Sequence, residues 1–310
     1  MKEKVKEKIE FRYYETPQGF PLIALMGDKW VVPYGSDPMH FHNYLEIGVC
    51  RYGEGTMYLG NSKVPYCEGT ITVIPKNFPH HTCGVNSDPQ KWEYLFADTD
   101  SFLKEIYAEN PHFAINLLKR LHSRMFLVNG QEYPELASVL NLIFEEMENE
   151  NEFYKETVKS LLHAALLKII ELNKQEKVPE KFELQNMNFG SIAEALRYIE
   201  QNFAEEIRIG ELARICNLSE THFRRIFDEY MNVSPVEYIN LVRIEKACEL
   251  MGKSDERIQD IGAKVGFPVN TTFSRNFKNV TGMSPLQWKK KLKEDKNLLL
   301  DCKVPVLKGW

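Results

Sequence analysis

The sequence predicts a multidomain chain: an N-terminal β-barrel with flanking helices, then an all-α domain of two helix-turn-helix units. Three observations predict it. Turn-forming residues, among them Pro17, Gly35, Gly53, Gly69, Pro75 and Pro79, interrupt residues 11–100 too often for long helices. A helical pattern occurs twice between residues 209 and 288. A polar stretch containing Pro179 and lacking periodicity, 174–189, reads as the linker between them. The expected divisions are therefore a barrel at 1–100, a helical segment at 101–173, the linker, the double helical unit at 190–293 and a tail at 294–310.

Within 11–100, short apolar and aromatic runs alternate with turns, and Gly60-Asn61 between Met57-Tyr58-Leu59 and Val64-Pro65-Tyr66 predicts a hairpin. From 101 the period changes. Phe102, Leu103, Ile106 and Tyr107 begin a helix that ends before Pro111, and Val158, Leu161, Leu162, Ala165, Leu166 and Ile169 form an apolar stripe on a later one. That stripe can pack on the barrel or pair two protomers. Glu145 to Glu152 reads as a solvated face and turn. A capping box of Ser191 and Glu194 is expected to open the next helix, with Ile192, Ala195, Leu196 and Ile199 inward.

The repeat is specific in its spacing. Leu212 to Leu218 aligns with Ile261 to Phe267 at an offset of 49, and Phe223 onward aligns with Phe273 onward at 50, so the turn differs by one residue. Each copy closes on Ser-Pro and an aromatic: Ser234-Pro235 with Tyr238, Ser284-Pro285 with Trp288. Serine is the expected N-cap, proline sits where no amide hydrogen is needed, and Glu237 or Gln287 completes a capping box. Between the copies, residues 235–252 read as one helix with Ile244, Ala247, Cys248 and Met251 on a face. The tail carries Leu298-Leu299-Leu300 and Val304-Pro305-Val306-Leu307, too apolar to stay solvated, and is expected to pack back on a domain or a partner.

Composition bounds the rest. At 310 residues with a net charge of −5 the chain is long enough for two or three cores, and it has no apolar run near the ~20 residues that span a bilayer. Its beginning, where Lys2 to Lys8 alternate with Glu3 and Glu7, lacks the apolar core of a signal peptide, so a cytoplasmic protein is expected. Six dispersed cysteines with no C-x-x-C argue against a disulfide framework or a zinc ribbon. Residues 190–293 hold 16 Lys and Arg against 14 Asp and Glu, a balance too even to argue for nucleic acid by itself. The argument rests instead on where the cations sit.

In the first copy Phe223, Ile226 and Phe227 must face the core, leaving Glu220, Thr221, Arg224 and Arg225 outward. In the second, Phe273 and Phe277 face the core while Asn270, Thr271, Ser274 and Arg275 are outward, with Lys278 placed for phosphate. An α-helix fits the major groove, where arginine bonds guanine, asparagine bonds adenine and a threonine methyl touches thymine.

This stretch resembles the DNA-binding domain of the AraC/XylS family of transcription regulators. The matching residues are Leu212-Ala213, Ser219, Phe227, Tyr238, Arg243, Ala247, Ile258, Gly266-Phe267, Phe273, Arg275, Phe277-Lys278, Gly282 and Ser284-Pro285; Asn232 and Gly262 depart from it. The resemblance implies double-stranded promoter DNA as partner, with Thr221, Arg224 and Arg225 as base readers in the first copy. It also implies a homodimer and contact with RNA polymerase.

In the barrel, His40, His42, Glu46 and Gly53 fit H-x-H-x3-E-x6-G, and Gly69, Pro75 and His80 fit a companion pattern in which Asn77 replaces a glycine. These look like the two cupin motifs, so a cupin or jelly-roll fold is expected. Alternation along a strand would put positions 40, 42 and 46 on one face, and His80 could complete a three-nitrogen, one-oxygen set suited to Zn, Mn, Fe or Ni, with His81 its nearest rival. The same residues, with Tyr44 and Trp92, can equally line a pocket for an organic effector. Trp30, Tyr34, Phe41 and Tyr94 are further aromatics that could stack against a sugar or other small ring.

The expected function is a sequence-specific DNA-binding regulator, with no enzymatic activity, controlled by a small molecule, a carbohydrate among the candidates, bound in the barrel. A metal-dependent cupin enzyme and an effector-independent activator, each carrying the same DNA-binding domain, are the alternatives.

Overall fold

The computed structural model describes residues 10–17, 19–27, 31–32, 38–59, 62–85, 90–123, 125–173, 189–231, 233–298 and 306–309. Residues 174–188 of the expected linker, Trp30, Tyr34, Gly60-Asn61, Asn232 and most of the tail's apolar residues lie outside them, while Phe189 opens a helix. Within the described tail, Val306–Gly309 forms a strand, β12, at the edge of a sheet beside β1 (Glu10–Tyr14).

The expected barrel is two sheets with open edges, a jelly-roll-like arrangement and not a closed barrel. The first has the order β12, β1, β4 (His40–His42), β9 (His80–Gly84), β6 (Gly55–Leu59), β7 (Ser62–Tyr66). The second runs β11 (Phe126–Asn129), β8 (Thr70–Ile74), β5 (Leu45–Tyr52), β10 (Gln90–Ala97), β2 (Leu22–Leu25), with β3 (Val31–Val32) also on β10. Strands β6 and β7 pair antiparallel from Gly55↔Tyr66 to Leu59↔Ser62, the expected hairpin. Strand β11 interrupts the segment read as helical and pairs with β8 from Phe126↔Val73 to Asn129↔Thr70. Its Phe126-Leu127-Val128 is too short a run to betray a strand by period.

Alternation on β5 gives the second sheet two characters. Leu45, Ile47 and Val49 join a cluster with Phe102, Leu103, Leu140, Leu162, Ala165, Leu166 and Ile169. Those last residues come from α1 (Thr99–Ile106), α3 (Pro134–Asn149) and α4 (Tyr154–Leu172), while α2 (Pro111–Leu121) adds Leu117 and Leu121. The stripe on α4 is thus consumed by the sheet. Glu46, Gly48 and Cys50 fall on the opposite face.

The C-terminal helices are α5 (Phe189–Asn202), α6 (Ile209–Ile215), α7 (Glu220–Met231), α8 (Pro235–Lys253), α9 (Ile258–Lys264), α10 (Asn270–Thr281) and α11 (Pro285–Leu298). Helix α5 begins at Phe189, two residues ahead of the opening expected at Ser191; helix ends shift by a residue or two with the last hydrogen bond formed. Both Ser-Pro starts are as expected. Ser234 Oγ accepts from Glu237 N at 3.3 Å and Glu237 Oε2 accepts from Ser234 N at 2.7 Å; Ser284 and Gln287 repeat the pair at 3.3 and 2.9 Å.

The chain divides into two compact units: β1 up to Tyr13 and β4 group with α5–α11, and Tyr14–Asp37 with Tyr44–Asn186 forms the other. Within the first of these, Tyr13 meets Trp288 edge-on at 5.7 Å, and Tyr13 and Phe41 join the cluster of Ile244, Phe273, Phe277 and Trp288. Phe41 is therefore core and not an effector-stacking ring, because alternation turns it away from the face of His40 and His42.

Candidate functional site

Each helix-turn-helix unit is built by the same packing. Phe223 and Phe227 lie 5.4 Å apart and Phe227 meets Tyr238 at 5.6 Å; Phe273 and Phe277 lie 5.6 Å apart and Phe277 meets Trp288 at 5.9 Å. All four phenylalanines are fully buried. Both turns put a residue at positive φ in the same place, Asn217 (55°) and Gly266 (89°), and both close with an amide donating back across the turn, Leu218 to Ala213 O at 2.9 Å and Phe267 to Gly262 O at 3.0 Å. Gly262 has a reason here. A Cβ on it would stand 3.0 Å from Phe273 Cδ1.

This packing leaves matching faces outward. Thr221, Arg224 and Arg225 on α7 are exposed, as are Asn270, Thr271, Arg275 and Lys278 on α10; Ser274 is half-buried. Arg224 Nη2 pairs with Glu220 at 2.7 Å and Arg225 Nη1 with Glu229 at 3.2 Å. Sequence reasoning missed what joins the two units. Arg243 on α8 donates from Nε to Phe203 O and from Nη2 to Glu205 O, both at 2.7 Å, and its guanidinium lies 5.5 Å from the Phe267 ring. Burial lowers its pKa from the usual arginine range. Only its place in the family pattern marked it in the sequence.

The other candidate site faces the interior of the sheets. Glu46 on β5 and His80 on β9 are buried and meet at 3.3 Å, Oε2 to Nε2. His80 Nδ1 is held 2.9 Å from Phe78 O, an atom that only accepts, so Nδ1 carries the proton. Its Nε2 then faces the Glu46 carboxylate. His40 Nδ1 is likewise 2.9 Å from Pro38 O. His40, His42, Glu46 and His80 are all buried, and each offers a ligand atom within 4.8 Å of the others. Positions 40, 42 and 46 are not on one strand: a bend at Asn43-Tyr44 separates β4 from β5, and the strands belong to different sheets. His81, the rival, is half-exposed and stacks on Tyr58 at 4.4 Å.

Further along the same face, opposite Cys50, Trp92 is fully buried, meets Tyr66 edge-on at 4.9 Å and stacks on Tyr94 at 5.8 Å. Tyr66 also hydrogen-bonds Gln90, and burial pushes its phenol up to about 12. Gly48 lets Thr72 and Tyr94 close in over the strand, since a Cβ there would run into Thr72 Oγ1 and the Tyr94 ring. Thr72 Oγ1 is buried with no hydrogen-bond partner among the described residues. Tyr44 is half-buried, its hydroxyl 3.4 Å from Thr16 Oγ1. The five described cysteines are free, and burial pushes Cys50 up to about 12.

Known proteins match both halves. The family model described as an AraC-like ligand binding domain matches residues 34–166, and one described as a helix-turn-helix domain matches 212–291. The raffinose operon transcriptional regulatory protein RafR of Pediococcus pentosaceus is 25% identical over 251 residues, 79% of this chain and 84% of that protein. The transcriptional activator RhaS of Escherichia coli is 23% identical over 264 residues, 82% of this chain and 88% of that protein. Among solved structures, ToxT of Vibrio cholerae aligns over 89% of this chain and 99% of its own at 14% identity, with a TM-score of 0.43.

Proposed function

The chain belongs to the AraC family of transcription regulators, joining a ligand-binding domain to a helix-turn-helix DNA-binding domain, and from that premise we propose how its residues perform the two tasks. Thr221, Arg224 and Arg225 on α7 and Asn270, Thr271, Ser274 and Arg275 on α10 read base edges, and Lys278 holds phosphate. The observation that carries this reading is the matched pair of outward faces, each fixed by two buried phenylalanines one helical turn apart. Fluorescence anisotropy of the full chain on promoter fragments tests it. Specific binding lost from Arg225→Ala and Arg275→Ala supports the assignment, and unchanged specific affinity in both removes it.

In the same proposal the effector occupies the face of Glu46, His80 and Trp92, with Tyr44, His40 and His42 as further contacts. A polyhydroxylated ligand suits the chemistry of these residues: a carboxylate and an imidazole can bond hydroxyls, Thr72 Oγ1 has no hydrogen-bond partner among the described residues, and Trp92 and Tyr94 are the aromatic residues of the same face. That a relative is named for the raffinose operon agrees with a carbohydrate. Ligand controls DNA only by binding one arrangement of the protein better than another. A thermal-shift screen against sugars, small acids and cations, repeated on Trp92→Ala, tests the site.

A second reading is a divalent metal held by His40, His42, Glu46 and His80. The donor set fits one: imidazole nitrogens and a carboxylate oxygen suit Zn, Mn, Fe or Ni, and backbone carbonyls orient the His40 and His80 rings through Nδ1. Bound there, the metal would polarise a ligand oxygen. An enzymatic role is not proposed. Homodimerisation, RNA polymerase contact and a cytoplasmic location remain proposals; the apolar stripe of α4 is already buried, so a dimer must use other surface. No helix among the described residues is long and apolar enough to cross a membrane.

A further inference from the structure

The two recognition helices share a core and differ in charge. Helix α7 carries Glu220, Asp228 and Glu229 against Arg224 and Arg225, whereas α10 has no acidic residue beside its Arg275 and Lys278. Both cations of α10 are exposed, and neither has an ion-pair partner among the described residues. On α7 the arrangement is specific. Arg224 gives Glu220 Oε1 two hydrogen bonds, from Nε at 3.1 Å and Nη2 at 2.7 Å. The other carboxylate oxygen lies against Gly210 at the start of α6, 3.2 Å from where a Cβ would stand, so the missing side chain gives the carboxylate its place.

We infer that Glu220 is a specificity-determining residue and that it reads DNA together with Arg224 as one unit, selecting a guanine with a cytosine amino group beside it. The inference rests on the reading of α7 as a recognition helix. Guanine offers the arginine two adjacent acceptors, O6 and N7, and cytosine N4 donates to a carboxylate; an A·T pair has an amino donor but no two adjacent acceptors for the arginine. Away from such a pair, the carboxylate faces phosphate and carbonyl oxygens and opposes binding, which is how a like charge buys discrimination. Helix α10 has no such brake, so Lys278 and Arg275 supply the hold on any duplex that counterion release makes salt-dependent.

The experiment enriches sites for the full-length protein from a randomised duplex, then measures anisotropy on the enriched and a scrambled duplex at several salt concentrations. Glu220→Gln and Glu220→Ala are expected to bind the scrambled duplex more tightly, to lose the G·C preference at one position and to lower the specificity ratio ~10-fold. Their melting temperatures should match wild type, since Glu220 is exposed. Lys278→Ala should weaken both duplexes alike and reduce the salt slope by ~0.9. Unaltered enrichment and ratio in both Glu220 variants overturns the inference. A wild-type protein that enriches no site overturns the DNA-reading assignment itself, a different outcome.

Discussion

Arg243 on the connecting helix donates to Phe203 O at 2.7 Å across forty residues of chain, and its second bond, to Glu205 O, is as short. The segment between α5 and α6 is thereby tied to α8, and Phe267 beneath the guanidinium brings in the second unit. Arg243→Ala should cost about 1.5–3 kcal/mol, the range for hydrogen bonds from a charged group. Urea unfolding of the full chain measures it. A lysine there should not restore the loss, because an ammonium cannot reproduce the planar two-carbonyl fork.

Gly266 bears on the same junction. Its φ of 89° disfavours any side chain, and a Cβ would stand 2.8 Å from Phe203 O and 2.9 Å from Ala204 O. Gly266→Ala is expected to lose about 1–3 kcal/mol from backbone conformation alone, with crowding added. Asn217, at the matching place in the first turn with φ of 55°, is exposed. Asn217→Gly should change stability by under ~1 kcal/mol, so denaturation of the two variants side by side separates the turns.

The helices flanking the sheets should respond to acid through His163. Its Nε2 is 2.9 Å from the Tyr107 hydroxyl, Phe102 packs edge-on at 6.5 Å, and burial lowers its pKa below the usual imidazole value. The unfolded chain therefore binds the proton more readily, so this contribution to stability is fully present above pH ~6.5 and falls as pH drops below it. Thermal melts from pH 8 to 5 should show the decline, and His163→Gln should flatten it.

How much of this was legible follows from what each pattern encodes. The repeat, both Ser-Pro starts and the core phenylalanines were readable because helix caps and a 3.6 period act within a few residues. Strand β11 was not, since four residues carry no period and only pairing with β8 makes them a strand. The His/Glu cluster was readable as residue types, yet its geometry was misassigned: one strand was expected where a bend and two sheets bring the groups together. Arg243's partners lie 38 and 40 positions away, beyond any local signal.

The His80 and Glu46 pair makes a chemical prediction. Nδ1 is held by Phe78 O and Nε2 faces the Glu46 carboxylate, a donor set that a divalent ion would suit. If the metal reading holds, analysis of protein purified without an affinity tag finds close to one divalent ion per chain, lost from His80→Ala and His42→Ala. Protein that stays metal-free after incubation with each candidate ion, and binds an organic ligand at Trp92, decides for the effector alone.

The central claim, that both recognition helices engage one duplex, turns on α8. Its 19 residues reach about 28 Å, close to the ~34 Å of one DNA turn. Hydroxyl-radical footprinting of the full chain on an enriched site tests this most directly. Two protected stretches ~10 base pairs apart on one side of the duplex, one lost with Arg225→Ala and the other with Arg275→Ala, are predicted. A single protected stretch that both variants weaken alike would contradict the account.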